Sequence, residues 1–161
     1  MMLYQSLYNQ LKEQHELIEK IVSRVDPKKL TLIPAPGKWS IKDNVAHLAK
    51  YQPIFTERIN SILKTESPGF ERYKAENDSE FEAWQAMPVE ELLQRLKKDR
   101  QHLFTLITGL NEQALSRIGV HPKFGKLTII QWVEFFILHE AHHTFTIFQL
   151  ANDVELNKTN K

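Results

Sequence analysis

The segment Trp132 to Leu150, WVEFFILHEAHHTFTIFQL, constrains the fold of this chain more than any other. Apolar residues occur nearly all the way round its helical circumference, the pattern of a helix buried on several sides. Histidines interrupt it in the run His139-Glu140-Ala141-His142-His143. At about 100° per residue, His139 and His143 stand one turn apart and about 40° apart around the axis. Two imidazoles so placed can chelate one cation. His139 and His142, at i and i+3, also share a side, so His142 competes for the second place; His143 is preferred, with His142 at the pocket edge or shuttling protons. Glu140 points away from the His143 face and is expected in solvent. Two ligands rarely make a stable site, so a third must come from elsewhere in the chain.

Composition narrows what that site can use. The chain has no cysteine, which removes disulfides, thiolate ligands and cysteine nucleophiles together. With 42% hydrophobic and 25% charged residues it is too apolar to be disordered, and 161 residues suit a single domain over 1–161. A formal net charge of +1 and the lack of a basic stripe argue against nucleic acid as a partner. No apolar run reaches the roughly 20 residues of a membrane span. The start, MMLYQSLYNQLKEQ, is too regularly polar for a signal peptide, so a cytoplasmic location is expected.

Helical periodicity accounts for most of the chain. Leu3, Leu7, Leu11, Ile18, Ile21, Val22 and Val25 predict a first helix over 3–25, with His15 at the edge of its stripe and its polar tip near solvent. After a connection containing Pro34, Pro36 and Gly37, Ser40 reads as an N-cap with Asp43 as its acidic partner. The second helix runs from Ile41 to about Leu63, with Pro53 inside it as a kink or bulge. Residues 64–88 are too long for a simple antiparallel link and predict a crossover along the bundle, parts of it packing down as a lid or short helix. Pro88, at a first helical position, opens a third helix that ends near Gly109, with His102 solvated on it. Residues 111–127 read as a turn or short helix and then a loop, with no strand anywhere in the chain. Thr128 to Gln131 form a capping box into the fourth helix, and the polar tail 152–161 is expected to fray. The predicted fold is all-α, a four-helix bundle.

In such a bundle the second and fourth helices can face each other, and His47 then supplies a third imidazole to His139 and His143. Three neutral imidazoles with an open position describe a reactive rather than a structural site. Periodicity alone does not set the rotation of the helices. On spacing, a metal site and a pair of hydrogen-bonded bundle-edge histidines both remain open. Asn44, a turn before His47, is a candidate for orienting a ligand or substrate, or simply a polar first-turn residue.

Three stretches carry a resemblance that spans most of the chain. Gly37-Lys38-Trp39-Ser40-Ile41-Lys42-Asp43-Asn44-Val45-Ala46-His47-Leu48, His121-Pro122-Lys123-Phe124-Gly125-Lys126-Leu127 and His139-Glu140-Ala141-His142-His143 are similar to segments of the DinB/YfiT-like metal-dependent family. The resemblance implies an up-down-down-up bundle and one divalent metal on His47, His139 and His143. Imidazole donors suit zinc or nickel, with iron or manganese as further options. The family's chemistry is mixed, and segment 64–87 matches no motif of it. The expected function is metal-dependent activation of a small nucleophile on a small-molecule substrate. In one version a low-molecular-weight thiol is cosubstrate of an S-transferase; in the other a water serves a hydrolase. The absence of an evident carboxylate base favours the thiol version. The alternative is a metal-stabilised binding or stress-response module without catalysis. The apolar last helix and the family's habit make a homodimer the expected assembly.

Overall fold

The computed structural model describes residues 3–156. Seven α-helices carry the fold: α1 (Gln5–Glu13), α2 (Glu16–Val22), α3 (Ile41–Lys64), α4 (Phe81–Ala86), α5 (Val89–Thr108), α6 (Glu112–Leu115) and α7 (Ile129–Leu156). A short hairpin, β1 (Ile118–His121) and β2 (Gly125–Thr128), precedes α7.

The core divides into two halves that report the direction of every helix. One half joins Ile18–Val25, the start of α3 (Ile41 to Ala49), the start of α5 (Val89 to Leu96), and Ile147 and Ala151 late in α7. The other joins Leu7 and Leu11, the end of α3 (Phe55 to Ile62), the end of α5 (Leu103, Ile107) and the start of α7 (Ile129 to Ile137). Thus α3 and α5 run the same way, against α1–α2 and α7. This is the up-down-down-up bundle, and the crossover 65–88 returns the chain to the end where α3 began.

Local chemistry sets the two critical helix starts. Ser40 Oγ accepts from Asp43 N at 3.1 Å while Asp43 Oδ2 accepts from Ser40 N at 2.9 Å, a complete capping box. Thr128 and Gln131 exchange the same pair of contacts at the head of α7. Pro53 leaves α3 one continuous element.

The first predicted helix is in fact two. At Gln14–His15 the backbone tightens to i→i+3 bonds, Leu17 N to Gln14 O and Ile18 N to His15 O. Here Gln14 reaches across to α7, its Nε2 donating to Ile137 O at 2.9 Å and to Glu140 Oε1 at 3.1 Å. His15 is buried rather than solvated, and desolvation, with Arg100 and Lys97 nearby, lowers its pKa to about 4. Pro88 takes the N-cap position, one residue before the helix it opens. The fourth helix continues past residue 152 to Leu156, and residues 157–161 of the expected tail lie outside the described residues.

The hairpin corrects the expectation of a strand-free chain. Its strands are four residues each, too short to show alternation, and they pair Ile118 with Thr128 through His121 with Gly125. Gly125, at φ +72°, closes the three-residue loop in the left-handed region. Gly119 is required for a different reason: a Cβ there would lie 2.6 Å from Ile62 Cδ1. That close approach lets Trp132 Nε1 donate to Gly119 O and pins the hairpin to the bundle. The crossover joins it through Phe70 N to Val120 O and Val120 N to Pro68 O.

Glu140 is the largest departure from expectation. It is 1% exposed and ion-paired with Arg100, also 1% exposed, in the centre of the bundle. Arg100 Nε donates to Gln52 Oε1 and Nη1 to Leu11 O, so α1, α3, α5 and α7 meet at one polar node. The reason is rotational: Glu140 stands about 100° round the axis from His139 and about 60° from His143, on a flank of the helix that faces core, not water. Leu138, Phe145 and Phe148 occupy the exposed face of α7 instead. Among the described residues no helix is long and apolar enough to cross a membrane.

A buried pair of this kind is costly to break singly. Glu140→Leu is expected to lose about 3–5 kcal/mol in urea unfolding, and Arg100→Met with Glu140→Leu to recover most of it. A single variant within about 1 kcal/mol of wild type would count against the node.

Candidate metal centre

The sequence-predicted histidines of α3 and α7 meet at the floor of a cleft of about 900 Å³. His47 Nε2 and His139 Nε2 are 3.1 Å apart. Each of His47, His139 and His143 offers one nitrogen, and these three atoms lie within 4.8 Å of one another. Nitrogens sharing a tetrahedral ion at about 2.0–2.1 Å stand roughly 3.4 Å apart, a spacing between the 3.1 Å of the His47–His139 pair and the 4.8 Å limit of the three, so rotation of the rings suffices. The donor set fits a divalent cation.

The hydrogen bonds around the three rings are unequal. Asn44 Nδ2 donates to Ser40 O at 2.8 Å, which turns its Oδ1 towards His143 Nδ1 at 2.9 Å. His143 must therefore carry its proton on Nδ1 and present Nε2 as a lone pair. The capped start of α3 thus reaches the site through Asn44. By contrast, Nδ1 of His47 and of His139 are buried without a partner. Two neutral Nε2 atoms at 3.1 Å can only share one proton between them, whereas a cation would satisfy both lone pairs at once.

Aromatic rings surround the cluster. Trp39 packs on His47 with ring centroids at 4.9 Å, Tyr73 stacks on His47 at 5.7 Å, and Tyr51 lies 4.6 Å from His139. Burial among these rings disfavours the charged imidazolium and lowers the pKa values to about 2 for His47, about 3 for His139 and about 4 for His143. Repulsion among the imidazoles adds to each shift. All three are neutral bases at pH 7, the form that coordinates metal.

His142 is exposed at the rim, its ring 5.3 Å from that of His143, and it lines the cleft. His102 lies on the exposed side of α5, away from the cluster. The crossover forms one wall with residues 72–76, held down by Tyr73 Oη donating to Asp78 Oδ2 at 3.0 Å and by Lys50 paired with Asp78 and Glu80. The hairpin loop forms another with residues 121–124.

Tyr51 and Arg58 have no place in the sequence reading; Tyr73 enters it only with Phe70, Phe81 and Trp84 as aromatics that make parts of the crossover pack down, and His121 only as part of a loop. A signal for two of them was present. Asn44, His47, Tyr51 and Arg58 fall within an arc of about 60° on α3, so a ligand at His47 points along the others. Tyr73 lies in a stretch without periodicity, where its aromatic ring signals packing but not that it packs on His47.

Fold and site together define a class: an all-α four-helix bundle with an imidazole cluster at the floor of an open cleft. The chain belongs to the DinB superfamily, whose family profile matches residues 10–147. YuaE from Bacillus subtilis is 26% identical over 80% of this chain and 86% of that protein. A protein of Oceanobacillus iheyensis named "Putative metal-dependent hydrolase" is 25% identical over 76% of this chain and 70% of its own length. Among solved structures, YfiT from Bacillus subtilis superposes with a TM-score of 0.82 at 20% identity, covering 93% of this chain and 86% of YfiT. It is described as a "probable metal-dependent hydrolase with an unusual four-helix bundle topology". The DinB-like protein YjoA of the same organism gives 0.62 at 13% identity, covering 93% of this chain and 92% of that one.

The lowered pKa values set a sign for stability against pH. Below the ordinary imidazole value of 6.5 the unfolded chain binds protons that the folded cluster refuses. Stability held by the neutral cluster is intact above pH 6.5 and is lost as pH falls towards the folded values. Metal-free protein should show a urea midpoint that falls below pH 6.5, and His47→Gln a shallower fall. Parallel acid slopes for the two proteins would contradict this.

Proposed function

We propose that His47, His139 and His143 hold one divalent metal ion and that the protein is a metal-dependent enzyme acting on a small molecule in the cleft. The observation that carries this reading is the convergence of three desolvated, neutral imidazoles at the floor of an accessible cavity. Zinc or nickel suits the donor set best, with iron or manganese also compatible. A divalent ion there supplies Lewis-acid polarisation, making a water or a thiol nucleophilic near neutral pH. The chain's own residues do the rest. Asn44 holds His143 in the ligating tautomer. Trp39, Tyr73 and Phe81 keep water from the rings of His47. His142, beside His143 and open to solvent, exchanges the proton released by the nucleophile.

Hydrolysis is the preferred reaction, supported by the names of the relatives at 20–25% identity. One observation favours transfer to a low-molecular-weight thiol as a second reading. Glu140, the carboxylate of the histidine motif, is committed to Arg100 in the core and cannot serve the cleft as a base. A thiol needs less help than water in losing its proton.

Untagged protein, stripped and reloaded, should take up one equivalent of zinc or nickel, and His143→Ala should abolish stoichiometric uptake by elemental analysis. Asn44→Ala should weaken the affinity about 10–100-fold, the usual loss when a ligand's orienting partner is removed. Metal-loaded protein is then offered activated esters and amides, with and without small thiols, beside His143→Ala. Turnover of ester alone supports hydrolysis; product only with thiol supports transfer. If neither depends on His143, the catalytic reading fails.

A further inference from the structure

Arg58 is a buried cation without an anion. It is 9% exposed, yet among the described residues no carboxylate lies within ion-pair distance of its guanidinium. Its two hydrogen bonds go to neutral acceptors, Nη1 to Tyr51 Oη at 3.1 Å and Nη2 to Glu71 O at 2.7 Å. It is sandwiched among the rings of Tyr51, Phe70 and Trp132, with its carbon 5.6–5.9 Å from their centroids. Of its five N–H donors, three are left over. Burying a charge is expensive unless something of opposite sign compensates it. Arg58 lines the cleft, so that compensation can come from a ligand.

His121 is set beside it with a fixed proton. His121 Nδ1 accepts from Lys123 N and from Phe124 N, both at 3.1 Å, across the hairpin loop. A ring nitrogen that accepts two amide protons carries none of its own, so neutral His121 bears its proton on Nε2 and is a donor there. The ring packs 5.2 Å from Trp132, the same indole that Arg58 covers, and His121 also lines the cleft. The link to the histidine cluster is Tyr51, whose hydroxyl accepts from Arg58 and whose ring touches that of His139. Charge around the opening agrees: Arg58, Arg72, Lys74 and Lys123 line it against one carboxylate, Glu76.

We propose that Arg58 and His121 form an oxyanion-binding subsite next to the histidine cluster, so that the substrate carries a carboxylate or phosphate-type group held there while its reacting part reaches His47, His139 and His143. This deepens the reading of the cleft as the reaction site, and it restricts the substrate class to small anions. Arg58 supplies charge and direction, and His121 a neutral donor that leaves no second buried charge behind when the anion leaves. The aromatic lining from Tyr51, Tyr73 and Phe124 suits a planar or apolar body attached to the anionic group.

The test uses benzoate and its uncharged isostere benzamide, with inorganic phosphate as a second oxyanion. Binding to the full chain is followed by nitrogen-15 NMR of the Trp132 indole and arginine side-chain signals, in metal-free and zinc-loaded samples. The expected result is benzoate binding about tenfold or more tighter than benzamide in both samples, as a charge-assisted hydrogen bond implies. Arg58→Gln should remove most of that preference, His121→Gln should reduce it, and Lys20→Gln, exposed on α2 outside the cleft, should leave it. Phosphate that binds with the same dependence on Arg58 extends the subsite to phosphate-type groups; phosphate that does not bind restricts it to carboxylates. Should Arg58→Gln unfold, Arg58→Lys and His121→Gln carry the comparison, each checked by its thermal unfolding. Equal binding of benzoate and benzamide overturns the subsite. So does a preference that appears only with zinc and vanishes in His143→Ala, since the carboxylate is then held by the metal. That second outcome leaves the metal reading standing. A preference kept in metal-free protein and in His143→Ala upholds the subsite even where the metal reading fails.

Discussion

The ion pair of Arg100 and Glu140 is the contact on which the geometry of this molecule turns. It draws donors and acceptors from every limb of the bundle: Leu11 O and Gln14 from α1 and its junction with α2, Gln52 from α3, Arg100 from α5 and Glu140 from α7. Such a pair adds little net stability, because apolar residues of the same volume do as well. Its effect here is positional. A carboxylate with one place to find its donors fixes the rotation of α7. Glu140 faces inward, and the residue before it, about 100° away, must turn towards α3. His139 thereby meets His47, and His143, one turn on, follows it. The acidic residue inside the histidine motif is the anchor of the site rather than its base.

That rotation places three imidazoles where water is scarce, and scarcity of water makes them useful. Aromatic rings from α3, the crossover and the stretch before α3 exclude solvent from His47 and His139, and neutral imidazole is the form left. The supporting hydrogen bonds are lopsided. His143 has a committed tautomer through Asn44 and Ser40, whereas Nδ1 of His47 and of His139 find no partner. One imidazole is therefore preset by the capped helix start. The other two are set by packing, and their tautomers are free to follow what binds.

How much of this was legible in the sequence depended on the range of the forces involved. The starts of α3 and α7 were readable from Ser40 with Asp43 and Thr128 with Gln131, because a cap is satisfied within one turn. The pairing of His139 with His143 is likewise local. His47 as their partner needed the relative rotation of two helices, which periodicity does not contain, and only family resemblance supplied it. Glu140 lies in the core rather than in solvent because its partner is 40 residues away in sequence and the flank of α7 that carries it packs on the bundle, neither of which is written in the local pattern. His15 is buried for the same reason, beside Arg100 and Lys97 of α5 rather than at the edge of its own helix's stripe with its tip in solvent. The hairpin is not legible in the pattern because its four-residue strands are too short for alternation, although Gly125 after His121-Pro122-Lys123-Phe124 is the glycine such a loop needs. Arg58 falls on the helical arc continued from His47, and a buried arginine on that face asks for an explanation.

The division of labour between frame and wall follows from where these constraints lie. The histidines, Asn44 and Arg58 sit on α3 and α7, elements whose rotation and spacing are held by the core and by the Arg100–Glu140 node. The rest of the cleft comes from segments that do not carry the bundle: 72–76 of the crossover and 121–124 of the hairpin. These are tied down at a few points, through Tyr73 and Lys50 to Asp78, Pro68 and Phe70 to Val120, and Gly119 under Trp132. Substitutions between those ties can reshape the opening without disturbing the imidazoles, whereas changes at the ties move a whole wall. Loops on a rigid scaffold are where binding selectivity concentrates. His121 is the exception that joins the two regions. It belongs to the hairpin loop, caps that loop with one nitrogen, and leaves the other for the cleft shared with Arg58. Folding of the loop and presentation of a donor are a single requirement, met by one imidazole that must stay neutral to meet it.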